Sequence, residues 1–341
     1  MNKRTQLLWI LLAIALLFAF SAVLLFGSVR IPPGQIWQAI WGQPLTDEKW
    51  RVIVWQIRLP RAITAVLAGT ALGVSGLQMQ TLFRNALADP FVLGINAGAS
   101  FGVALFVLAV SGAFGAQLGA LTWGSSLGMA IAAAIGGGLV LLVVLALSQR
   151  LSPVTLLLIG LMVSYITGAG VSILLHFAMP ERTQAYINWS FGNFGGVTTR
   201  QLQVMTPLVV LPLVGSLRLA KPLNALLLGQ DYAQTLGVPV QRLRRELVVL
   251  TALLSGTITA FCGPIGFVGL AVPHIARNLF RTADHTLLLP ACCLIGAILA
   301  LVADIIAQLP ASQYTLPLNA VTALIGAPIV LSVLLKLGIR E

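Results

Sequence analysis

An all-α, polytopic membrane fold is what this sequence predicts, on three observations. Hydrophobic residues make up 58% of the 341 and charged residues only 9%, a make-up that ordinary water-soluble domains do not have. Apolar stretches of roughly 20 residues, the length a helix needs to cross a ~30 Å hydrocarbon core, recur from one end of the chain to the other. No polar stretch between them could house a separate soluble domain, so residues 1–341 are read as a single transmembrane domain.

About ten spans are expected, at 7–28, 61–83, 92–111, 117–147, 153–176, 201–219, 246–262, 264–280, 287–309 and 319–337. In the first, Lys3 and Arg4 precede an apolar run from Leu7 to Phe26. That run is longer than the 7–15 residues of a signal-peptide core, so an uncleaved helix is expected. Residues 29–60 then form the main loop on the outer side, carrying Trp37, Trp41, Trp50 and Trp55. Indole rings favour the membrane interface, and the loop reads as an amphipathic segment that anchors there or touches a partner.

The second span carries Gly69, Gly73 and Gly76 on or near one face, where missing side chains let another helix come close. It ends at a break with Arg84, Asn85, Asp89 and Pro90, after which the third begins. His176 and Met179 stand at the outer end of the fifth span. Soft ligands at i and i+3 suit an iron-containing cargo, and they equally suit a plain interface.

The inner loop, about 218–246, contains PLNALLLGQDYAQTLGVPVQRLRR. Leu226, Leu227, Gly229 and Ala233 share a face, Asp231 and Gln234 are polar, and Gly237 with Pro239 stops the helix. One short helix near 223–237 is expected, too polar to span. It either tethers the loop to the membrane or meets a partner. Pro264, Gly266 and Gly269 interrupt the eighth span, which membrane depth tolerates only where protein or water satisfies the freed backbone. Cys262, Cys292 and Cys293 sit in apolar segments and are read as packing residues.

Five spans precede the loop around Arg182 and five follow it. An odd number per half makes the two halves inverted in the membrane. A faint echo joins them, LFRNALADP at 82–90 and LFRTADHTLLLP at 279–290. With the N-terminus inside, Lys3, Arg4, Arg84, Arg150, Arg218, Lys221, Arg242, Arg244, Arg245, Arg277, Arg281, Lys336 and Arg340 face the cytoplasm. Arg30, Lys49, Arg51, Arg58, Arg61, Arg182 and Arg200 remain outside, so the positive-inside rule places both termini in the cytoplasm. The net charge of +11 therefore needs no nucleic acid to explain it.

No GxxxxGK[ST] phosphate loop occurs, and His176, His274 and His285 are scattered without a nucleophile beside them. Neither a catalytic set nor a metal site is expected. Asp304 is the one carboxylate placed inside a span, at an insertion cost of about 2.5–3.5 kcal/mol at the bilayer centre. It is either a structural hydrogen-bonding group, which an amide would replace, or the proton carrier of a secondary transporter. A non-transporting scaffold is the remaining rival.

Three motifs decide among these. RLPRAITAVLAGTALGVSGLQMQTLFRNALADPFVLGINAGASFG at 58–102, QDYAQTLGVPV at 230–240 and GPIGFVGLAVPHIAR at 263–277 closely resemble the FecCD family. These are the permeases of ABC importers for ferric siderophores, haem and vitamin B12, and the resemblance runs from about residue 7 to 338. It implies the membrane subunit of a type II importer in a bacterial inner membrane. ATP and magnesium would be bound by two separate ATPase subunits, and no cofactor by this chain. The other partners implied are a second permease subunit, in a homodimer, and a periplasmic binding protein. The cargo implied is a bulky iron chelate, a ferric siderophore first, with haem or cobalamin as alternatives.

The resemblance also assigns residues. Arg58 and Arg61 would pair with glutamates of the binding protein. Gly229, Asp231, Ala233, Leu236 and Gly237 would lie in the segment seated in a groove of the ATPase. Asn85 and Leu87 would narrow the inner end of the pathway, opposite Pro153 and Val154, and the fifth and tenth spans would line it. Gln308 stands where cobalamin permeases carry a further arginine, and WSFGNFGGV at 189–197 matches a structural glycine-rich segment.

Overall fold

The computed structural model describes residues 3–27, 29, 31–110, 124–148, 151–309 and 315–338, and every regular element among them is helical. Arg30, Arg150 and Arg340, residues 111–123 with the end of the third and the start of the fourth expected span, and the side chains of Pro153 and Lys336 lie outside the described residues. The helices are α1 Lys3–Leu25, α2 Pro33–Ile40, α3 Lys49–Val52, α4 Leu59–Leu82, α5 Ile95–Ala104, α6 Gly124–Ser148 and α7 Pro153–His176. There follow α8 Pro180–Ser190, α9 Thr199–Arg218, α10 Ala220–Leu227, α11 Gln230–Thr235, α12 Val240–Cys262, α13 Val268–Phe280, α14 His285–Gln308 and α15 Leu318–Gly338.

Helices α1, α4, α5, α6, α7, α9, α12, α13, α14 and α15 stand where the ten spans are expected. Among the described residues six helices are long and apolar enough to cross a membrane, or seven when the bent pair α9 and α10 counts as one. Helix α13, in the interrupted eighth span, is only 13 residues long. The backbone freed ahead of it is met by protein: the Gly266 amide donates to Asn319 Oδ1 at 2.9 Å. Starts marked by capping residues agree closely with expectation. Ser152 accepts from the Thr155 amide ahead of α7, and Thr198 with Gln201 forms a capping box on α9.

The second span begins earlier than expected. Lys49–Leu82 is one apolar rod of 34 residues, because a π-helical stretch, Ile53–Arg58, carries α3 into α4 through Pro60. Proline removes one amide and crowds the carbonyl four residues back, and a widened turn relieves both. The tryptophan loop therefore reduces to α2 and its flanks. Trp37 and Trp41 are exposed and meet edge to face, while Trp55 Nε1 donates to the Ala39 carbonyl.

Helix α4 runs through the centre of the bundle, and its glycines set how closely its neighbours approach. A Cβ on Gly69 would strike the carbonyl of Gly296 in α14, and one on Gly76 the carbonyl of Gly269 in α13. One on Gly73 would stand 2.9 Å from the Cys292 carbonyl. The glycine-notched face is thus a pair of backbone-to-backbone crossings. Cys262 and Cys292 are buried, and all three cysteines are free.

Two polar layers mark the ends of the bundle. At the inner end Arg4 donates to the Leu279 carbonyl, Arg84 to that of Leu226, and Thr81 meets His285. At the outer end Arg58 reaches the last carbonyls of α1, Arg61 pairs with Asp304, and the Asn319 amide donates to Phe191. Between Arg61 and Leu82 the helical rise covers roughly 33 Å, a hydrocarbon thickness.

The echo between the halves has a different meaning from the one expected. Arg84 and Arg281 both adopt left-handed backbone, with φ of 49° and 51°, directly after a helix end. Asp89 and Asp284 then cap the next helical turns, on the amides of Phe91 and Thr286. Thr81 touches His285, so both turns lie at the same end of the bundle. Inversion would place matching segments at opposite ends. The echo is a repeated turn on one side and not a trace of the inverted halves.

Candidate functional site

Helix α10 is seated by Leu223 and Leu226, both buried, and Leu227 points outward, against the expected shared face. The single short helix expected here is in fact two, because Gly229 takes φ +122° between α10 and α11. A side chain at 229 would need backbone strain and would stand 3.1 Å from the Arg84 guanidinium. Of the assigned residues Ala233 is buried, and Asp231, Leu236 and Gly237 are exposed. Tyr232 and Leu228 are exposed with them, which gives this end of the molecule an apolar surface with one acidic group.

The turn that carries Asn85 and Leu87 lies directly behind. Asn85 Oδ1 accepts from the Leu87 amide at 2.9 Å, which closes an Asx turn and leaves the Leu87 side chain exposed. His274 Nε2 holds the Ala86 carbonyl at 2.9 Å, and Arg84 Nη2 donates to the Leu226 carbonyl at 3.3 Å. Val154 is exposed at the start of α7. Gly160, further along α7, packs on the Val92 carbonyl of the turn Pro90–Leu93, which places α7 beside the gate segment. The Arg84–Leu226 hydrogen bond therefore ties the turn that carries Asn85 and Leu87 to the end of α10.

Four residues to which sequence reasoning gave no role, Asn224, Asp284, His285 and Thr81, hold this junction. Asn224 Nδ2 donates to Asp284 Oδ1 at 2.6 Å, and Asn224 Oδ1 faces the His285 amide at 2.8 Å and His285 Nδ1 at 2.9 Å. His285 Nε2 lies 2.8 Å from the Thr81 hydroxyl. Bonds from the Thr286 hydroxyl, then from Asn224, hold the Asp284 carboxyl below the usual range. The only signal for them was the repeated LFR…D pattern, which marks the turn and not its partners.

Asp89 behaves oppositely. Burial pushes its carboxyl up to about 6, against the lowering effect of the Phe91 amide. A folded pKa above the unfolded one means the native state holds the proton more tightly, so this group's contribution falls as pH rises through 4 to 6. Asp89→Asn, which can still cap, is expected to raise the melting temperature in detergent at pH 8, with the gain shrinking towards pH 4.

At the outer end the two arginines part company. Arg58, expected as a docking charge, is buried, with its guanidinium on the carbonyls of Leu24 at 2.6 Å, Leu25 at 3.2 Å and Val29. The last carbonyls of a helix lack internal partners, and a cation there satisfies them and opposes the dipole. Arg58 is thus a cap for α1, not a surface charge. Arg61 is bidentate on Asp304, with contacts of 2.8 to 3.0 Å, and Gln308 Nε2 donates to the same carboxylate at 2.7 Å. The Asp304 side chain is 1% exposed and that of Arg61 18%.

Arg61 also borders a cavity of about 590 Å³ lined by Asn188, Asn193, Thr315 and Leu318. The carboxylate in the ninth span is therefore charge-paired. An amide there keeps the Gln308 bond and strands a guanidinium, so asparagine is expected to serve less well than the sequence alone implies. WSFGNFGGV packs beneath this cavity, with Phe194 buried and the Asn193 amide on the Cys262 carbonyl. His176 is exposed and meets Phe177 edge to face, and among the described residues no three His, Cys, Asp or Glu side chains gather as a metal cluster.

The profile of the FecCD transport family matches residues 11–336. The vitamin B12 import system permease protein BtuC of Escherichia coli O17:K52:H18 (strain UMN026 / ExPEC) is 37% identical over 340 residues, covering 99% of this chain and 98% of that protein. The protein of the same name in Shigella sonnei (strain Ss046) is 38% identical with the same coverage. Among solved structures, an inward-facing conformation of a metal-chelate type ABC transporter aligns with TM-score 0.81 and 30% identity, over 95% of this chain and 97% of that one.

Proposed function

The chain belongs to the FecCD transport family and is the multi-pass permease of a type II ABC importer; we propose that it moves a bulky ferric chelate, a ferric siderophore first, inward across a bacterial inner membrane. The observation that carries the transport mechanism is the junction between the coupling segment and the gate turn, where Arg84 bonds Leu226. A push on α10 and α11 from an ATPase subunit would reach Asn85 and Leu87 without passing through solvent. Two such ATPases would supply the energy, since catalytic machinery for hydrolysis belongs to them in this family.

Helices α7 and α15 support a pathway shared with a second copy. Leu158, Leu161 and Tyr165 in α7, and Leu324, Leu331 and Leu335 in α15, are exposed among the described residues. An apolar constriction of Leu87 and Val154 would close the pathway by sterics and dewetting. Docking of a periplasmic binding protein would rest on Arg61 and its cavity, without Arg58. Cobalamin is the second reading, favoured by the identity to vitamin B12 permeases. Titrating the cognate binding protein with ferric siderophores, haem and cyanocobalamin separates them. Submicromolar binding of a siderophore alone supports the proposal, and preference for cyanocobalamin replaces it.

Asp231→Arg with Leu236→Arg changes only exposed side chains of the coupling segment. Co-purification of the ATPase is expected to fall by about ten-fold, the usual scale for losing a central contact, while membrane insertion stays normal. Unchanged co-purification and uptake would reduce the segment to a tether.

A further inference from the structure

Helix α10 is held on the bundle by two kinds of contact. Leu223 and Leu226 are buried apolar anchors, which tolerate sliding. The second kind is a chain of hydrogen bonds that fixes register. Asn224 Nδ2 donates to the Asp284 carboxylate, so the Asn224 oxygen must face His285. That oxygen receives the His285 amide at 2.8 Å and makes Nδ1, at 2.9 Å, the protonated ring nitrogen. Nε2 is then an acceptor, 2.8 Å from the hydroxyl of Thr81 in the last turn of α4, whose one proton it shares with the Leu77 carbonyl, also at 2.8 Å. His285 is 1% exposed and Thr81 4%, so water does not compete.

Three residues past Thr81 in α4, Arg84 closes the circuit on the Leu226 carbonyl and opens the gate turn that displays Leu87.

We propose that Asn224, His285 and Thr81 are positioning residues that transmit displacement of the coupling helices into the inner end of α4 and so to the gate. This rests on the importer reading. Apolar packing alone would let α10 slide over α14 while α4 stays in place. The amide–imidazole–hydroxyl chain makes the three elements move together, and an ATPase that shifts α10 then necessarily shifts the turn behind Asn85.

The test uses the full complex of permease, ATPase and binding protein in proteoliposomes, with uptake and ATP hydrolysis measured side by side. Asn224→Ala and Thr81→Val are each expected to lower the chelate moved per ATP by about ten-fold, within the usual range of coupling between sites. ATP hydrolysis and ATPase co-purification should stay within about two-fold. Because both variants cut one chain, the double variant should be little worse than either alone. A merely structural role would lower uptake and hydrolysis together, and that result, or an unchanged ratio, overturns the proposal. Should Asn224→Ala fail to assemble, Thr81→Val alone decides, since it removes one hydroxyl and keeps the side-chain shape. If the wild-type chain retains no ATPase at all, the importer reading itself fails and the relay fails with it.

Discussion

Gly76→Leu is expected to abolish folding of the permease. A Cβ at this position would land on the Gly269 carbonyl, and the obstacle is backbone, which cannot rotate away. Overpacking by a few methylenes costs about 1–3 kcal/mol where side chains can adjust, and more where they cannot. Moving α13 aside would also disturb the Pro90 turn, whose ring contacts Gly269. The monodisperse fraction in detergent should fall by about ten-fold or more, since each 1.4 kcal/mol is a factor of ten. Gly138→Ala is the control, because nothing stands within 4 Å of the added carbon and alanine favours the helix. Normal yield for Gly76→Leu would mean that α4 and α13 do not cross at this glycine.

The second large effect concerns the pair at the outer end. Asp304→Ala removes the carboxylate paired with Arg61, and breaking a buried pair costs about 3–5 kcal/mol. Because the Arg61 side chain retains 18% exposure, the low end of that range is expected. Asp304→Asn should lose somewhat less, since the Gln308 contact survives. Arg61→Asp with Asp304→Arg should recover part of the melting temperature lost in the single changes. A swapped pair no more stable than either single variant would show that packing, not charge, holds the two helices there.

The spans were legible because hydropathy reports burial in lipid directly, and their starts were legible where Ser152, Thr198 and Asp284 cap them. The glycine notch of α4 was equally plain, since small residues at helical spacing have one common use in membranes. The start at Lys49 was not, because Pro60 reads locally as a helix beginning and only the π-turn before it lets the helix continue. Arg58 and Arg61 look alike in sequence. Which of them serves α1 and which serves α14 depends on partners 34 and 243 residues away. The same holds for the relay at the inner end, whose members lie 61 and 204 residues apart. The break at Gly229 was signalled by the glycine, yet the shared apolar face argued for continuity, and the positive φ prevailed. Hydrogen bonds of long sequence separation leave no period to read.

The most direct test of the central claim is transport in sealed proteoliposomes carrying this chain with its ATPase and binding protein. Uptake of the chelate is expected only when ATP and the binding protein are both present, and to be indifferent to an imposed proton gradient. Uptake by the chain alone, driven by that gradient and lost in Asp304→Asn, would contradict it.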